Sequence, residues 1–168
     1  MGRYRPPAPK SSPYITRDGY ARMDNELNEL WKRRAVVTKA VTAAAAEGDR
    51  SENAEYIYRK KELRGIDRRI RYLQKRLPEL TIVDTAPSDP SRIFFGAWVT
   101  LEDDTGKELT YRIVGTDEID MDNRYISMDA PLARALFKKQ RDDEVEIKTP
   151  KGVSGYLILA IDYGQTTA

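Results

Sequence analysis

The sequence predicts an α+β protein: an N-terminal antiparallel helical hairpin followed by a small, mainly antiparallel sheet domain with one short helix. Three observations carry this. Two apolar stripes of helical period flank a glycine turn; the period shifts towards two after Leu80; and the charge changes sign at the same place. Residues 1–80 carry 19 Lys/Arg against 11 Asp/Glu, whereas residues 81–168 carry 10 against 16. Halves of net +8 and −6 suggest two domains with different partners.

The first stripe runs through Tyr20, Met23, Leu27, Leu30, Val37, Val41 and Ala44, with an interruption at Arg34. Gly48 breaks it. The second runs through Tyr56, Leu63, Ile66, Ile70, Leu73 and Leu77, and Pro78 stops it. Two stripes joined by a short turn read as an antiparallel coiled-coil hairpin over residues 15–79. A helix from Arg17 to Ala46 would be about 45 Å long, so its tip would stand clear of a globular body. Gly65 is a local flaw, costing a helix interior about 1 kcal/mol relative to alanine. Residues 1–14, with Pro6, Pro7, Pro9 and Pro13, read as a disordered extension.

Residues 80–168 form the second domain. Phe95–Leu101, a turn at Asp104–Gly106 and Leu109–Val114 make a hairpin. Arg124–Met128 is a third strand, and Pro131–Lys138 a short helix. Glu144–Lys148, a turn at Pro150–Gly152 and Val153–Tyr163 complete the set.

Composition excludes several chemistries. The chain has 168 residues, one third of them charged, and neither cysteine nor histidine. Disulfide scaffolds, thiol catalysis, the usual zinc sites and histidine acid–base mechanisms are therefore out. Mean hydropathy is −0.67, which fits a soluble protein with a modest core. The proline-rich start leads into no apolar stretch, so no secretory signal is expected. Tyr156–Ile161, the longest apolar run near the end, is far short of the ~20 residues a bilayer span needs. The absence of cysteine suits a reducing cytoplasm.

The turn, residues 47–55, holds Glu47, Asp49, Glu52 and Glu55 against Arg50 alone. Asp49 and Glu52 are three apart and would project from nearly one helix face. One reading is a capping box, in which Asp49 accepts from the Glu52 N–H and Glu52 reaches back. The other is a half-site for Mg²⁺, which usually takes one or two carboxylates and fills its octahedron with waters and phosphates. Such a tip would not hold the ion tightly alone, and the two readings are compatible.

Behind the tip, Arg59 to Arg76 carries nine basic residues against Glu62 and Asp67. Lys60, Arg64, Arg68 and Arg71 follow helical spacing and can line one side, either as a solubilising face or as a contact for a polyanion such as RNA. Tyr56 lies on the apolar stripe. Tyr58 is off it, able to stack or hydrogen-bond.

The segment Gly48-Asp-Arg-Ser-Glu-Asn-Ala-Glu-Tyr56 resembles the tip signature of the GreA/GreB family of bacterial transcript-cleavage factors. Arg59 to Leu73 is similar to the basic second helix of the GreB branch. The resemblance continues through Phe94–Trp98, Tyr111–Gly115, Tyr125–Ser127 and Pro131–Leu136, and covers residues 13 to 163. It implies an FKBP-like second domain that docks on bacterial RNA polymerase through Asp129 and Pro131. It further implies a helical arm that enters the polymerase's secondary channel. There Asp49 would help retain a Mg²⁺ shared with the polymerase, and Glu52 would position or activate the attacking water for hydrolysis of backtracked RNA. Arg59, Lys60, Arg64, Arg68 and Arg71 would guide the nascent RNA 3′ end. The protein would be a cytoplasmic, monomeric cofactor of another enzyme's cleavage, with no nuclease activity or membrane partner of its own.

Three positions depart from the family pattern. Gly65 replaces a helix former and would soften the arm. Ala130 replaces a serine before Pro131, so Asp129 would have to cap that helix. Asp142 stands where a turn glycine is common. Rival readings are a channel-entering inhibitor without cleavage activity, a peptidyl-prolyl isomerase with a helical arm, and a coiled-coil binder of free nucleic acid.

Overall fold

The structure is a computed structural model and describes residues 6–50 and 52–164. It divides into two units: Asp18–Leu80, and a second built from Thr81 onward together with the chain up to Arg17.

The first unit is the helical hairpin. Helix α1 spans Arg17–Ala45 and α2 spans Ala54–Arg76, followed by a single 3₁₀ turn at Leu77–Glu79. Val37, Ile66 and Ile70 are buried between the helices, with Leu27, Leu30, Val41 and Leu63 packed around them. The interruption of the first stripe at Arg34 has a structural reason: its guanidinium pairs with Asp67 across the hairpin at 2.6 Å. Arg33 pairs with Glu62 at 2.5 Å and Arg69 with Glu26 at 2.6 Å. These half-exposed bridges contribute little stability each, but they fix which residues face each other. Helix α2 runs unbroken through Gly65.

The second unit holds a five-stranded sheet. Its strands are β3 (Trp98–Asp103), β4 (Glu108–Val114), β5 (Tyr125–Ser127), β6 (Glu144–Thr149) and β7 (Gly152–Asp162), in the order β5-β4-β3-β7-β6. All neighbours are antiparallel except β4 and β5, which are parallel. Helix α3, Pro131–Leu136, supplies Ala133 and Leu136 to a core with Ile93, Val99, Leu101, Ile113, Val145 and Ile158. A bulge in β7 shifts its register on β3 between Thr100 and Leu101.

Expectation and structure differ at several points. The first hairpin strand starts at Trp98, because Gly96 turns the chain at φ 85° just before it. The short helix ends at Leu136, and Lys138 takes a left-handed conformation at φ 66°. Asp142 keeps the left-handed turn at φ 70° without glycine, a conformation a short polar side chain tolerates.

Part of the expected disordered extension, residues 1–5, lies outside the described residues. Its end is ordered. Tyr14–Ile15 forms β1, paired in parallel with Thr81–Ile82, β2. The link is completed by Glu118, only 5% exposed, whose carboxylate accepts from the Thr16 N–H at 3.0 Å, the Thr16 hydroxyl and the Gly115 N–H at 2.9 Å. The approach is tight: a Cβ on Gly115 would lie 2.1 Å from the Tyr14 carbonyl oxygen.

Candidate functional site

The acidic turn is shaped by its two ends. Gly48, at φ 129°, carries the chain out of α1 through a conformation that side-chain-bearing residues rarely adopt. Asn53 then joins both helices. Its Oδ1 accepts from the Tyr56 N–H at 3.0 Å, capping α2, while its Nδ2 donates to the Ala44 carbonyl at 2.7 Å near the end of α1. One side chain thus satisfies an open donor of α2 and adds a second hydrogen bond to a carbonyl that already accepts from the Glu47 N–H.

The capping-box reading of Asp49 and Glu52 is thereby corrected. Helix α2 starts at Ala54 with Asn53 as its N-cap, so both carboxylates lie in the turn before it. The Glu52 N–H donates to the backbone carbonyl of Asp49, at 3.4 Å. Sequence spacing favoured Asp-x-x-Glu, but Asn53 has the same capping chemistry and sits where the helical backbone begins. Replacing Asn53 by alanine is expected to cost about 1 kcal/mol. The loss should appear in urea denaturation, with faster amide exchange in the first turn of α2.

Glu47, Asp49 and Glu52 are all exposed. Arg50 lies over the Tyr56 ring, 5.7 Å from its centroid. Among the described residues no group of three or more acidic, histidine or cysteine side chains could hold a metal ion. The donor set at the tip is two hard carboxylates on an open surface, which fits Mg²⁺ only where other ligands come from elsewhere.

The basic residues of α2 divide by partner. Arg59 is bound to Glu55 at 2.8 Å and Glu62 at 3.0 Å, Arg69 to Glu26, and Arg76 to Glu79 at 3.8 Å. The bond to Arg33 holds the Glu62 carboxyl below its ordinary range, with Arg59 adding to it. Lys60, Arg64, Arg68 and Arg71 are exposed and form no ion pair among the described residues. Of the five residues expected to meet RNA, Arg59 is committed within the hairpin and four are available.

In the second unit, Asp129 does not cap α3: the N-cap is Ala130 and makes no side-chain bond. Pro131 at the first helical position has no N–H to satisfy, which lowers the need for a cap. Instead the Asp129 carboxylate accepts from the Ser12 N–H at 2.8 Å, the Ser12 hydroxyl and the Thr116 hydroxyl at 3.0 Å. Thr116 and Asp129 both meet the Ser127 hydroxyl at 3.0 Å. Sequence reading missed Ser12, because its partner lies 117 positions away.

Burial pushes the Asp129 carboxyl up, but the Ser12 and Thr116 donors and the Arg134 charge outweigh it, holding it below its ordinary 3.8. A lowered carboxylate stabilises the fold above its unfolded pKa and loses that contribution as pH falls through the folded value. The Ser12 tether is therefore expected intact at neutral pH and released in acid below 3.8. The Ser12 amide resonance during an acid titration reports this.

Among the described residues no helix is long and apolar enough to cross a membrane. The aromatic strand residues divide between the core, where Tyr111 and Tyr156 pack, and a Trp98–Tyr125 pair closed over Arg112.

A basic helical hairpin closed by an acidic turn, joined to a small α+β sheet unit, defines the class of protein. The family model described as "Transcription elongation factor, N-terminal" matches residues 13–82, and that described as "Transcription elongation factor, GreA/GreB, C-term" matches residues 87–163. Transcription elongation factor GreB of Pseudomonas aeruginosa is 56% identical over 164 residues, covering 97% of this chain and 98% of that protein. The factor of the same name from Xanthomonas axonopodis pv. citri is 56% identical over 165 residues, with the same coverage. Among solved structures, Thermus aquaticus Gfh1 aligns at TM-score 0.42 with 26% identity, covering 90% of this chain and 99% of that one. The chain belongs to the GreA/GreB family of transcription elongation factors.

Proposed function

We propose that this protein binds bacterial RNA polymerase, places its hairpin in the secondary channel and stimulates the polymerase's own hydrolysis of backtracked RNA. The observation that carries the reading is the tip. Asp49 and Glu52 are exposed in the turn, and Asn53 does the structural work of capping α2. Carboxylates gathered at the end of a basic helix repel the phosphates that helix attracts, unless a cation sits between them.

In this reading Asp49 and Glu52 form half a site for Mg²⁺, the remaining ligands belonging to the polymerase. A shared Mg²⁺ supplies charge neutralisation at the phosphoryl oxygens and favours deprotonation of water at neutral pH. Asp49 donates a carboxylate oxygen to that site. Glu52, three residues on, orients the attacking water and accepts its proton. Lys60, Arg64, Arg68 and Arg71 take the phosphates of the nascent RNA 3′ segment, while Arg59 is held along α2 by Glu55 and Glu62. Asp129 and Pro131 form the polymerase-docking loop, with the Asp129 carboxylate set by Ser12 and Thr116. The protein acts as a cytoplasmic monomer and has no nuclease activity without the polymerase.

A stalled, backtracked elongation complex tests this. Added protein is expected to shorten the transcript from its 3′ end and restore elongation when nucleotides are supplied. Slower nucleotide addition with the transcript left intact would mark a channel inhibitor and refute the reading.

A further inference from the structure

We propose that the margin of α2 bearing Tyr58, Gly65 and Tyr72 is a stacking surface for the bases of single-stranded RNA, bordered by Lys61 and Arg68 at the edge of the basic face that takes its phosphates. The proposal rests on the RNA reading of the basic face and adds a second set of contacts with different chemistry.

Tyr58 is 61% exposed and Tyr72 44% exposed, so neither ring serves the hairpin core. At 100° per residue, Tyr58, Gly65 and Tyr72 fall within about 40° of one another on the helix, with Lys61 and Arg68 directly beside them. Both rings are held in the same way. The Arg59 guanidinium lies 5.5 Å from the Tyr58 centroid, itself fixed by Glu55 and Glu62. The Arg69 guanidinium lies 5.3 Å from the Tyr72 centroid, itself fixed by Glu26. Two of the helix's arginines are thus spent on orienting aromatic rings, a pre-organisation that limits the entropy lost when a flat partner stacks.

Gly65 lies seven residues from each tyrosine, about 10 Å along the helix either way. A Cβ there would meet nothing within 4 Å, so packing does not require glycine. What its absence supplies on this margin is bare backbone between two rings, where a polynucleotide can approach closely. An apolar protein surface would also cover tyrosines. Lys61 and Arg68 alongside, continuing into Arg64, Arg71 and Lys60 farther round the helix, favour a polyanion, and exposed aromatic rings at the border of such a face select one whose bases are unpaired.

The test measures binding of the full-length protein to a fluorescent single-stranded RNA and to a ribose-phosphate oligomer of the same length lacking bases. Exchanging Tyr58 and Tyr72 for alanine is expected to weaken RNA binding on the order of tenfold per ring, with little change for the abasic oligomer. The salt dependence should keep its slope, and the double phenylalanine variant should regain wild-type affinity. Arg64→Ala with Arg68→Ala should instead weaken both ligands and flatten the slope. If the tyrosine variant loses nothing, or loses equally on both ligands, or phenylalanine fails to restore binding, the stacking proposal is overturned while the phosphate reading stands. If wild type binds neither ligand at low salt, both fall.

Discussion

Replacing Asp49 or Glu52 by alanine is expected to lower transcript cleavage in backtracked complexes on the order of a hundredfold or more, with the hairpin still folded. The separation of activity from stability is what the structure adds. Were either carboxylate the cap of α2, its loss would cost about 1 kcal/mol and fray the helix. Asn53 is the cap, and both carboxylates are exposed in the turn before it. Replacement of Glu52 should therefore leave the urea midpoint nearly unchanged, within the ~0.5 kcal/mol typical of surface positions. Polymerase binding should also persist, since Asp129 and Pro131 lie in the other unit. Full cleavage by both variants would return the tip to a structural role.

The second large effect is on stability. Glu118→Ala is expected to cost about 3 kcal/mol, read from urea denaturation followed by circular dichroism. The carboxylate is buried and accepts from the Thr16 N–H, the Thr16 hydroxyl and the Gly115 N–H. Truncation removes the acceptor these donors share, and an unsatisfied buried donor costs about 1–3 kcal/mol. The milder change Glu118→Gln keeps one acceptor oxygen and should lose roughly half as much. Gly115→Ala strikes the same joint sterically, because its Cβ would press on the Tyr14 carbonyl. Wild-type stability in either alanine variant would mean the β1–β2 joint is not a structural tie.

How much could be read beforehand depended on range. The two long helices, the basic run and the acidic turn are written in local periodicity and charge. The five strands of the sheet and its short helix were legible for the same reason, with one strand start displaced by a turn at Gly96 and the helix end by a left-handed residue at Lys138. The two-residue pair β1–β2 was not, since Tyr14–Ile15 is too short for an alternation and its partner, Thr81–Ile82, lies beyond the entire hairpin. The parallel pairing of β4 and β5 was also hidden, because the 3₁₀ turn at Thr116–Glu118 and the loop after it make a crossover with no helical pattern. At the tip, Asp49, Ser51 and Asn53 can all cap a helix by type. The Asn53–Ala44 bond, which no spacing rule anticipates, accompanies the choice. The expected capping of α3 by Asp129 failed in the same way: cap chemistry was visible, the distant Ser12 was not.

The most direct test of the tip as a shared half-site is the Mg²⁺ dependence of cleavage in a backtracked elongation complex. Cleavage would be followed without factor, with wild type and with Asp49→Ala. Wild type should lower the Mg²⁺ concentration giving half-maximal cleavage, and Asp49→Ala should lose that shift while recovering part of the rate at high Mg²⁺. An identical Mg²⁺ dependence for wild type and Asp49→Ala would contradict the account.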